Sequence, residues 1–383
     1  MIKKFKIKCY IVKLIFCMFR IFKIKKNKIV ISSYYGNGFG DNSKYVVESL
    51  KKKDKNNEID IVWLLNDIEQ EMPDYIRKVK NKTIKAFFEL ATAKIWIDNC
   101  RKCEYILKRK KQVYFQLWHG SLGLKKVEYD TLNSLTEDYI NMMSHDNEII
   151  DYMTSGSDFF TDRIRNSFKY KGKILNCGHP RDDILFNYTD DIRKKVVKYF
   201  NIKSDTKILV YAPTFRNDFS AYPYDIDENK LLSLLNKNSK DKWIIINRLH
   251  PNIAKEYDKF KNLRIGINGT NYPDMQELIC AADLIISDYS SLMFDAILAN
   301  KPVILYANDI KDYIDNKGIY INIKKLPFPI AENNEELQKI IKNTFNYEEN
   351  YKRFLKDFNV FEKGNASEYL ANKILDIIIE KNK

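Results

Sequence analysis

The chain reads as an α/β protein, two Rossmann-like domains facing a central cleft with a basic amphipathic segment ahead of them. Three observations predict this. Short apolar runs recur along the 383 residues, each followed by a helical stretch. The recurrence pauses at a charged helical connector, about Asp190–Asn201, and then restarts. The first 28 residues stand apart in both charge and apolarity. Alternating strands and helices imply a parallel sheet with helices on both faces, so two such runs imply two domains.

Lys28–Ser33 is the first expected strand and Ile59–Leu65 the second, with a helix around Tyr45–Lys52 between them. Thr83–Ala93 reads as a helix. Lys94–Asp98, Gln112–Trp118, Tyr152–Gly156 and Ile174–Gly178 read as further strands. Beyond the connector, Lys207–Tyr211, Trp243–Asn247, Leu284–Ser287 and Pro302–Tyr306 continue the pattern, and Ala366–Lys383 reads as a terminal helix. The expected divisions are 1–28, 29–188, 189–365 and 366–383.

Hydrophobic residues make up 45% of the chain and aromatic residues 13%, which excludes a disordered protein. A net charge of +14 invites nucleic acid or an anionic membrane, and its distribution decides. Residues 1–28 hold ten basic residues and no acidic one, which leaves +4 for the other 355. The body is near balance, so nucleic acid is not an expected partner. The apolar run from Cys9 to Phe22 is broken by Lys13 and Arg20. It falls short of the ~20 residues that span a bilayer, and no small-residue cleavage site follows it. The segment is expected to lie in the headgroup layer of an anionic membrane; the plainer reading is a first helix packed on the body. The six cysteines Cys9, Cys17, Cys100, Cys103, Cys177 and Cys280 form no disulfide framework. The pair Cys100 and Cys103 lacks a second ligand pair, so these are read as ordinary thiols in a reducing compartment.

Chemistry-bearing residues cluster just after expected strands, where parallel sheets bind ligands. In Trp118-His119-Gly120-Ser121 a histidine able to take a proton stands beside a glycine that lets backbone approach a ligand. In Gly178-His179-Pro180-Arg181, Arg181 offers a planar fork for phosphate, or a surface ion pair, and His179 reads as structural. Pro213-Thr214-Phe215-Arg216 offers the Thr214 hydroxyl and amide. Arg248 and His250, two apart, suit a diphosphate. Ser290 and Ser291 precede a helix expected at Leu292–Leu298, with Asp295 one turn in, where it suits a ribose or glycerol hydroxyl. The Asp225-x-Asp227 pair lies in a polar connector and is discounted as a metal site. No P-loop and no metal cage is expected.

Taken in order, these pieces resemble the CDP-glycerol glycerophosphotransferase family. The resemblance runs from about Asp41 to Pro329. It rests on Asp41-Asn42-Ser43-Lys44-Tyr45, Trp118-His119-Gly120, Gly178-His179-Pro180-Arg181, Ala212–Arg216, Arg248-Leu249-His250-Pro251, Asp288–Asp295 and Asp309–Gly318. Ser121-Leu122 stands where the family reads Thr-Pro, and Ser43 where it reads Pro. The resemblance implies a GT-B-like fold with the nucleotide held mainly by the second domain. It implies His119 as base, and His250 with Arg248 on the diphosphate. It places Ser290, Ser291, Asp295, Pro213, Thr214 and Arg181 around CDP-glycerol, with Trp118, Gly120 and Ser121 beside the base. The implied reaction moves glycerol phosphate from CDP-glycerol to a lipid-linked or polymeric glycerol phosphate. CMP is released, no cofactor is needed, and the work is done at the cytoplasmic face of the membrane for teichoic acid or a related surface polymer. The competing readings are a CDP-ribitol transferase, a nucleotide-sugar glycosyltransferase of the same fold, and a non-catalytic basic membrane-binding protein.

Overall fold

The computed structural model describes residues 2–120, 122–216, 224–250, 257, 260, 263, 265–343 and 346–379; of residues 2–6, 8 and 315–317 it describes the backbone alone. Two compact units emerge. The first comprises residues 1–121, 127–183 and 361–383, and the second residues 122–126 and 184–360. The first unit therefore ends five residues before the expected boundary at 188, and the C-terminal helix belongs to it.

In the first unit, α1 (Ile2–Phe19) precedes β1 (Lys25–Ile31), α2 (Asp41–Lys53), β2 (Asp60–Leu65) and β3 (Ile76–Lys80). Then come α3 (Ile84–Thr92), β4 (Ala93–Asp98), β5 (Val113–Gln116), α4 (Glu137–Ile149), β6 (Tyr152–Ser155), α5 (Asp158–Asn166) and β7 (Lys173–Asn176). The strands form one sheet in the order β3-β2-β1-β4-β5-β6-β7, with parallel pairing throughout. Alternate residues of each strand serve opposite faces. Ile29 and Ile31 pack with Val46 and Leu50 of α2, whereas Val30 packs with Phe16 of α1 and Phe87 and Leu90 of α3. Burial on both faces is why these strands read as unbroken apolar runs. Lys28 ends up fully buried, its ammonium on Glu89 (2.7 Å) and Thr92 (2.6 Å), so it belongs to the core and not to the basic segment counted from sequence.

The second unit is entered within α6 (Asp183–Asn187), whose first residue belongs to the first unit, and contains α7 (Asp190–Tyr199), β8 (Lys207–Ala212), α8 (Glu228–Asn238), β9 (Trp243–Asn247), β10 (Ile267–Asn268) and α9 (Met275–Ala281). It continues with β11 (Leu284–Ser287), α10 (Leu292–Leu298), β12 (Val303–Tyr306), α11 (Ile310–Lys317), β13 (Ile330–Ala331), α12 (Asn334–Lys342) and α13 (Glu348–Asp357). Its sheet runs β10-β9-β8-β11-β12-β13, again with parallel pairing. Renumbered from its own first strand this is 3-2-1-4-5-6, the doubly wound order, and the first unit shares it over its first six strands and adds β7 at the edge. The last helix, α14 (Ala366–Ile379), rejoins the first unit and buries Leu370, Ala371 and Ile374 in the cluster that holds α2.

Candidate active site

Each doubly wound sheet has a switch point where strand order reverses, and ligands bind at the strand carboxyl ends beside it. In the first unit that point lies between β1 and β4, and the chemistry-bearing residues gather there. β5 ends at Gln116, and Trp118 follows with φ +53°. A left-handed tryptophan is strained and must be held by its surroundings. The Trp118 amide donates to Gln116 Oε1 (3.0 Å), and Asn42 Nδ2 donates to its carbonyl (3.0 Å). Phe168 meets the indole edge-on at 4.7 Å, and the Arg101 guanidinium lies 5.7 Å from the ring. Arg101 is itself fully buried, paired with Glu128 (2.6 Å) and Asp146 (3.2 Å). The residues between Cys100 and Cys103 are thus the working part of that motif: Arg101 underpins Trp118, and Lys102 pairs with Asp98 (2.7 Å). Burial, first of all, holds the Cys100 thiol far above its ordinary value, as an inert thiol requires.

His119 follows, stacked on Trp118 at 4.4 Å and 26°. Its Nδ1 is 2.7 Å from the carbonyl of Asn99. A carbonyl only accepts, so Nδ1 carries the proton and Nε2 of the neutral ring is left with a lone pair. Burial lowers the His119 pKa, while the Asn99 hydrogen bond and the Asp41 carboxylate work against that shift. Arg181, expected from sequence as a phosphate fork or a surface pair, is instead 6% exposed. Its Nη1 donates to Asp41 Oδ2 (3.0 Å) and to the His119 carbonyl (2.9 Å). Asn42 accepts from the Arg181 amide (3.0 Å) and also holds the Trp118 carbonyl. The Asp41-Asn42 pair therefore ties three distant segments together, a role no local pattern could announce. Among the described residues none has a heavy atom within 4 Å of where a Cβ on Gly120 would stand. Ser121 lies outside the described residues.

In the second unit the switch point falls between β8 and β11. Thr214, expected to offer its hydroxyl and amide to a ligand, gives both to Asp288, at 2.5 Å and 2.9 Å. Arg216 completes the group: it reaches Asp288 (3.0 Å) and Asp309 (2.7 Å), with the rings of Tyr289 and Tyr313 each 5.0 Å away. Pro213 is buried beside it. His250 stacks on Phe215 (5.7 Å, 29°), which joins the loops after β8 and β9. Its imidazole is held below the ordinary value by lost hydration and then by two cations, Lys125 and Arg248. Lys125 was missed in the sequence. It lies six residues after His119, yet pairs with Ile319 as a bridge of the second unit; only the basic Lys125-Lys126 pair hinted at it. Ser290 and Ser291 are partly exposed ahead of α10. Asp295, read from sequence as a ligand for a donor hydroxyl, is 2% exposed and accepts from Gln276 Nε2 (3.0 Å). Asp225 accepts from Tyr306 (2.5 Å) and Asn308 (2.8 Å), and Asp227 caps α8, so both do structural work.

Among the described residues one group, His179, Asp182 and Glu362, brings three ligand atoms within 4.8 Å of one another, a spacing that could hold a metal ion. In this structure Glu362 accepts from the His179 ring (2.7 Å) and amide (3.0 Å).

A family model for CDP-glycerol:poly(glycerophosphate) glycerophosphotransferases matches residues 14–376. The chain belongs to this family. Members of this glycerophosphotransferase family are transferase enzymes, and a teichoic acid poly(glycerol phosphate) polymerase of Bacillus spizizenii is 27% identical over 97% of this chain and 98% of its own. A polymerase of the same name from Staphylococcus epidermidis is 30% identical over 92% of this chain, and this chain spans 51% of it. Among solved structures, a variant of the wall teichoic acid polymerase TagF soaked with CDPG matches at TM-score 0.83 and 27% identity, over 96% of this chain and 93% of that one.

Proposed function

We propose that this chain moves glycerol phosphate from CDP-glycerol to a hydroxyl of a lipid-linked or polymeric glycerol phosphate, with release of CMP, in the synthesis of teichoic acid or a related surface polymer. The observation that carries this reading is the His119 imidazole, whose Nδ1 proton goes to the Asn99 carbonyl, in a chain of the glycerophosphotransferase family. In the step we assign, the acceptor oxygen attacks the β-phosphorus of CDP-glycerol, its proton passes to Nε2 of His119, and the phosphorus–oxygen bond to CMP breaks. Such transfers ask for in-line positioning and charge stabilisation rather than covalent help from the protein. The charge is assigned to Arg248 and Lys125, the two cations acting on His250, and His250 is assigned a hydrogen bond to the diphosphate. Ser290, Ser291 and the Pro213–Thr214 turn take the remaining contacts to the donor, and Trp118, Gly120 and Ser121 those beside the base. Arg181 and Asp295, both buried on internal partners, are given supporting roles.

The reading also places the chain peripherally on a membrane, at its cytoplasmic face. No helix among the described residues is long and apolar enough to cross one. What supports the peripheral reading is α1, apolar on two sides. Cys9, Val12 and Phe16 are buried, while Ile7, Tyr10, Ile11, Leu14 and Met18 are 48–65% exposed. Arg20, Lys23, Lys25 and Lys26, all exposed, follow it.

A donor screen with CDP-glycerol, CDP-ribitol and UDP-sugars tests the reaction. CMP release with CDP-glycerol is expected, and His119→Ala is expected to lower turnover ~10²–10⁴-fold with the fold intact. CMP release with CDP-ribitol alone would move the chain to ribitol phosphate transfer, and UDP release to sugar transfer. Vesicle binding without turnover of any donor would make it a non-catalytic membrane protein. Wild-type turnover in His119→Ala would remove the base assignment.

A further inference from the structure

We propose that Asp41 is a positioning residue for the reaction: held by Arg181, Asn99 and Tyr34, its carboxylate is the fixed counter-charge that lets His119 accept a proton. The inference rests on the reading of His119 as the base and adds a second group to it. Four donors converge on Asp41. Tyr34 Oη (2.8 Å) and Arg181 Nη1 (3.0 Å) donate to Oδ2, and the Asn42 amide (2.8 Å) and Asn99 Nδ2 (3.1 Å) to Oδ1. A carboxylate so placed stays ionised, and its pKa is lowered despite the opposing effect of its burial.

Two of those donors also hold His119. Asn99 binds Asp41 with its side chain and the His119 ring with its carbonyl. Arg181 binds Asp41 and the His119 carbonyl through one nitrogen. The ring of Tyr34 lies 5.6 Å from that of His119. The backbone shows what this arrangement costs. Tyr34, Tyr35 and Asp41 all have positive φ (+44°, +59° and +57°), each a strained conformation for a residue other than glycine. Strain of this kind persists only where the surroundings enforce it.

The electrostatic consequence has a definite sign. The charged groups acting on His119 are Asp41 on α2, Arg181 after β7 and Glu128 before α4; Tyr34 after β1 is the neutral neighbour. Burial and Arg181 disfavour the imidazolium, and Asp41 and Glu128 favour it. Neutralising Asp41 would remove the carboxylate that opposes Arg181 beside the ring and leave Arg181 its other partner, Asp182 (3.4 Å). His119 would then protonate only at lower pH and would be a weaker base at neutral pH.

Asp41→Asn tests this, because it keeps the shape and removes the charge. The chain has four histidines, His119, His145, His179 and His250, so each imidazole can be titrated separately by NMR. The expected results are a His119 midpoint moved to lower pH, the acid limb of kcat/KM moved the same way, kcat reduced about 10–100-fold, and KM for CDP-glycerol changed less than about threefold. A His119 midpoint that stays put or moves up overturns the proposal, as does a raised KM with kcat kept. If Asp41→Asn does not fold, the wild-type carboxyl ¹³C signal of Asp41 decides: it should shift at the midpoint of His119, and silence there overturns the proposal. The midpoint reads Asp41's influence whether or not His119 proves to be the base, which turnover of His119→Ala decides separately.

Discussion

At the scale of single residues, two glycines that look alike in the sequence are told apart by what surrounds them. A Cβ at Gly120, beside the proposed base, would meet no heavy atom of the described residues within 4 Å, whereas one at Gly156 would come within 1.7 Å of Glu362 Oε1. The glycine at 178, with φ +87°, faces the same carboxylate at 2.1 Å. Glu362 is locked between them by His179, so it cannot swing aside. Gly156→Ala is therefore expected to destabilise the protein by about 2–4 kcal/mol. Gly120→Ala should leave stability within about 0.5 kcal/mol and lower kcat/KM by crowding the substrate beside the proposed base. Thermal melts and steady-state kinetics on the two variants check both claims, and a large loss of melting temperature in Gly120→Ala would mean the space beside it is occupied by protein. The sequence singles out His119 and His250 because histidines are few and both follow strands. It could not show that Arg181 and Thr214 turn their donors inward. That depends on Asp41 and Asp288, which lie 140 and 74 residues away along the chain.

At the scale of elements, most of the strands legible in the sequence are buried on both faces, the edge strand β7 being an exception. Trp243–Asn247 and Leu284–Ser287 were expected with those bounds and form as β9 and β11. The missed ones have a physical reason. β3 is an edge strand of sequence Ile-Arg-Lys-Val-Lys with only Ile76 and Val79 buried, so it carries no apolar run. β10 and β13 are two residues each, too short for any periodicity. The first helix shows the opposite difficulty: its apolar residues circle the axis, so a sequence pattern cannot say which side meets the body. The structure assigns Val12 and Phe16 to the core with α3, and that assignment separates two kinds of substitution. Phe16→Ala, at 1% exposure, should cost about 3–4 kcal/mol through the cavity it leaves. Ile11→Ser with Leu14→Ser and Met18→Ser should leave the melting temperature nearly unchanged and abolish co-sedimentation with anionic vesicles. Vesicle binding that survives the triple change while Lys23, Lys25 and Lys26 remain would assign attachment to charge alone.

At the scale of the whole molecule, the two alternating runs and the connector were legible as two parallel sheets, because each strand–helix repeat announces itself locally. The path of the last 23 residues was not, because α14 reads as a helix wherever it packs. Its destination is written in capping and packing. The amide of Phe361 donates to the Gly156 carbonyl (2.9 Å), and Glu362 takes the His179 amide and ring. Asp183, the last residue of the first unit's central segment, accepts from the amides of Ala366 (2.8 Å) and Ser367 (2.7 Å), which fixes the start of α14. Leu370, Ala371 and Ile374, each at most 1% exposed, then complete the face of the sheet that holds α2. Burial of the two larger side chains is worth roughly 1.5–3 kcal/mol apiece, so the terminal segment is an integral layer of the first unit. Removal of residues 361–383 should act on one sheet only. Hydrogen exchange in α2 and in β1 to β3 is expected to accelerate at least about 100-fold, whereas β8, β9 and β11 keep their protection, since the core cluster that holds Leu209, Ile245 and Ile286 includes, among the described residues, none from the deleted segment. Equal loosening of both sheets would show that the units fold as one cooperative body, and unchanged exchange in α2 would show that α14 contributes little to the layer it completes.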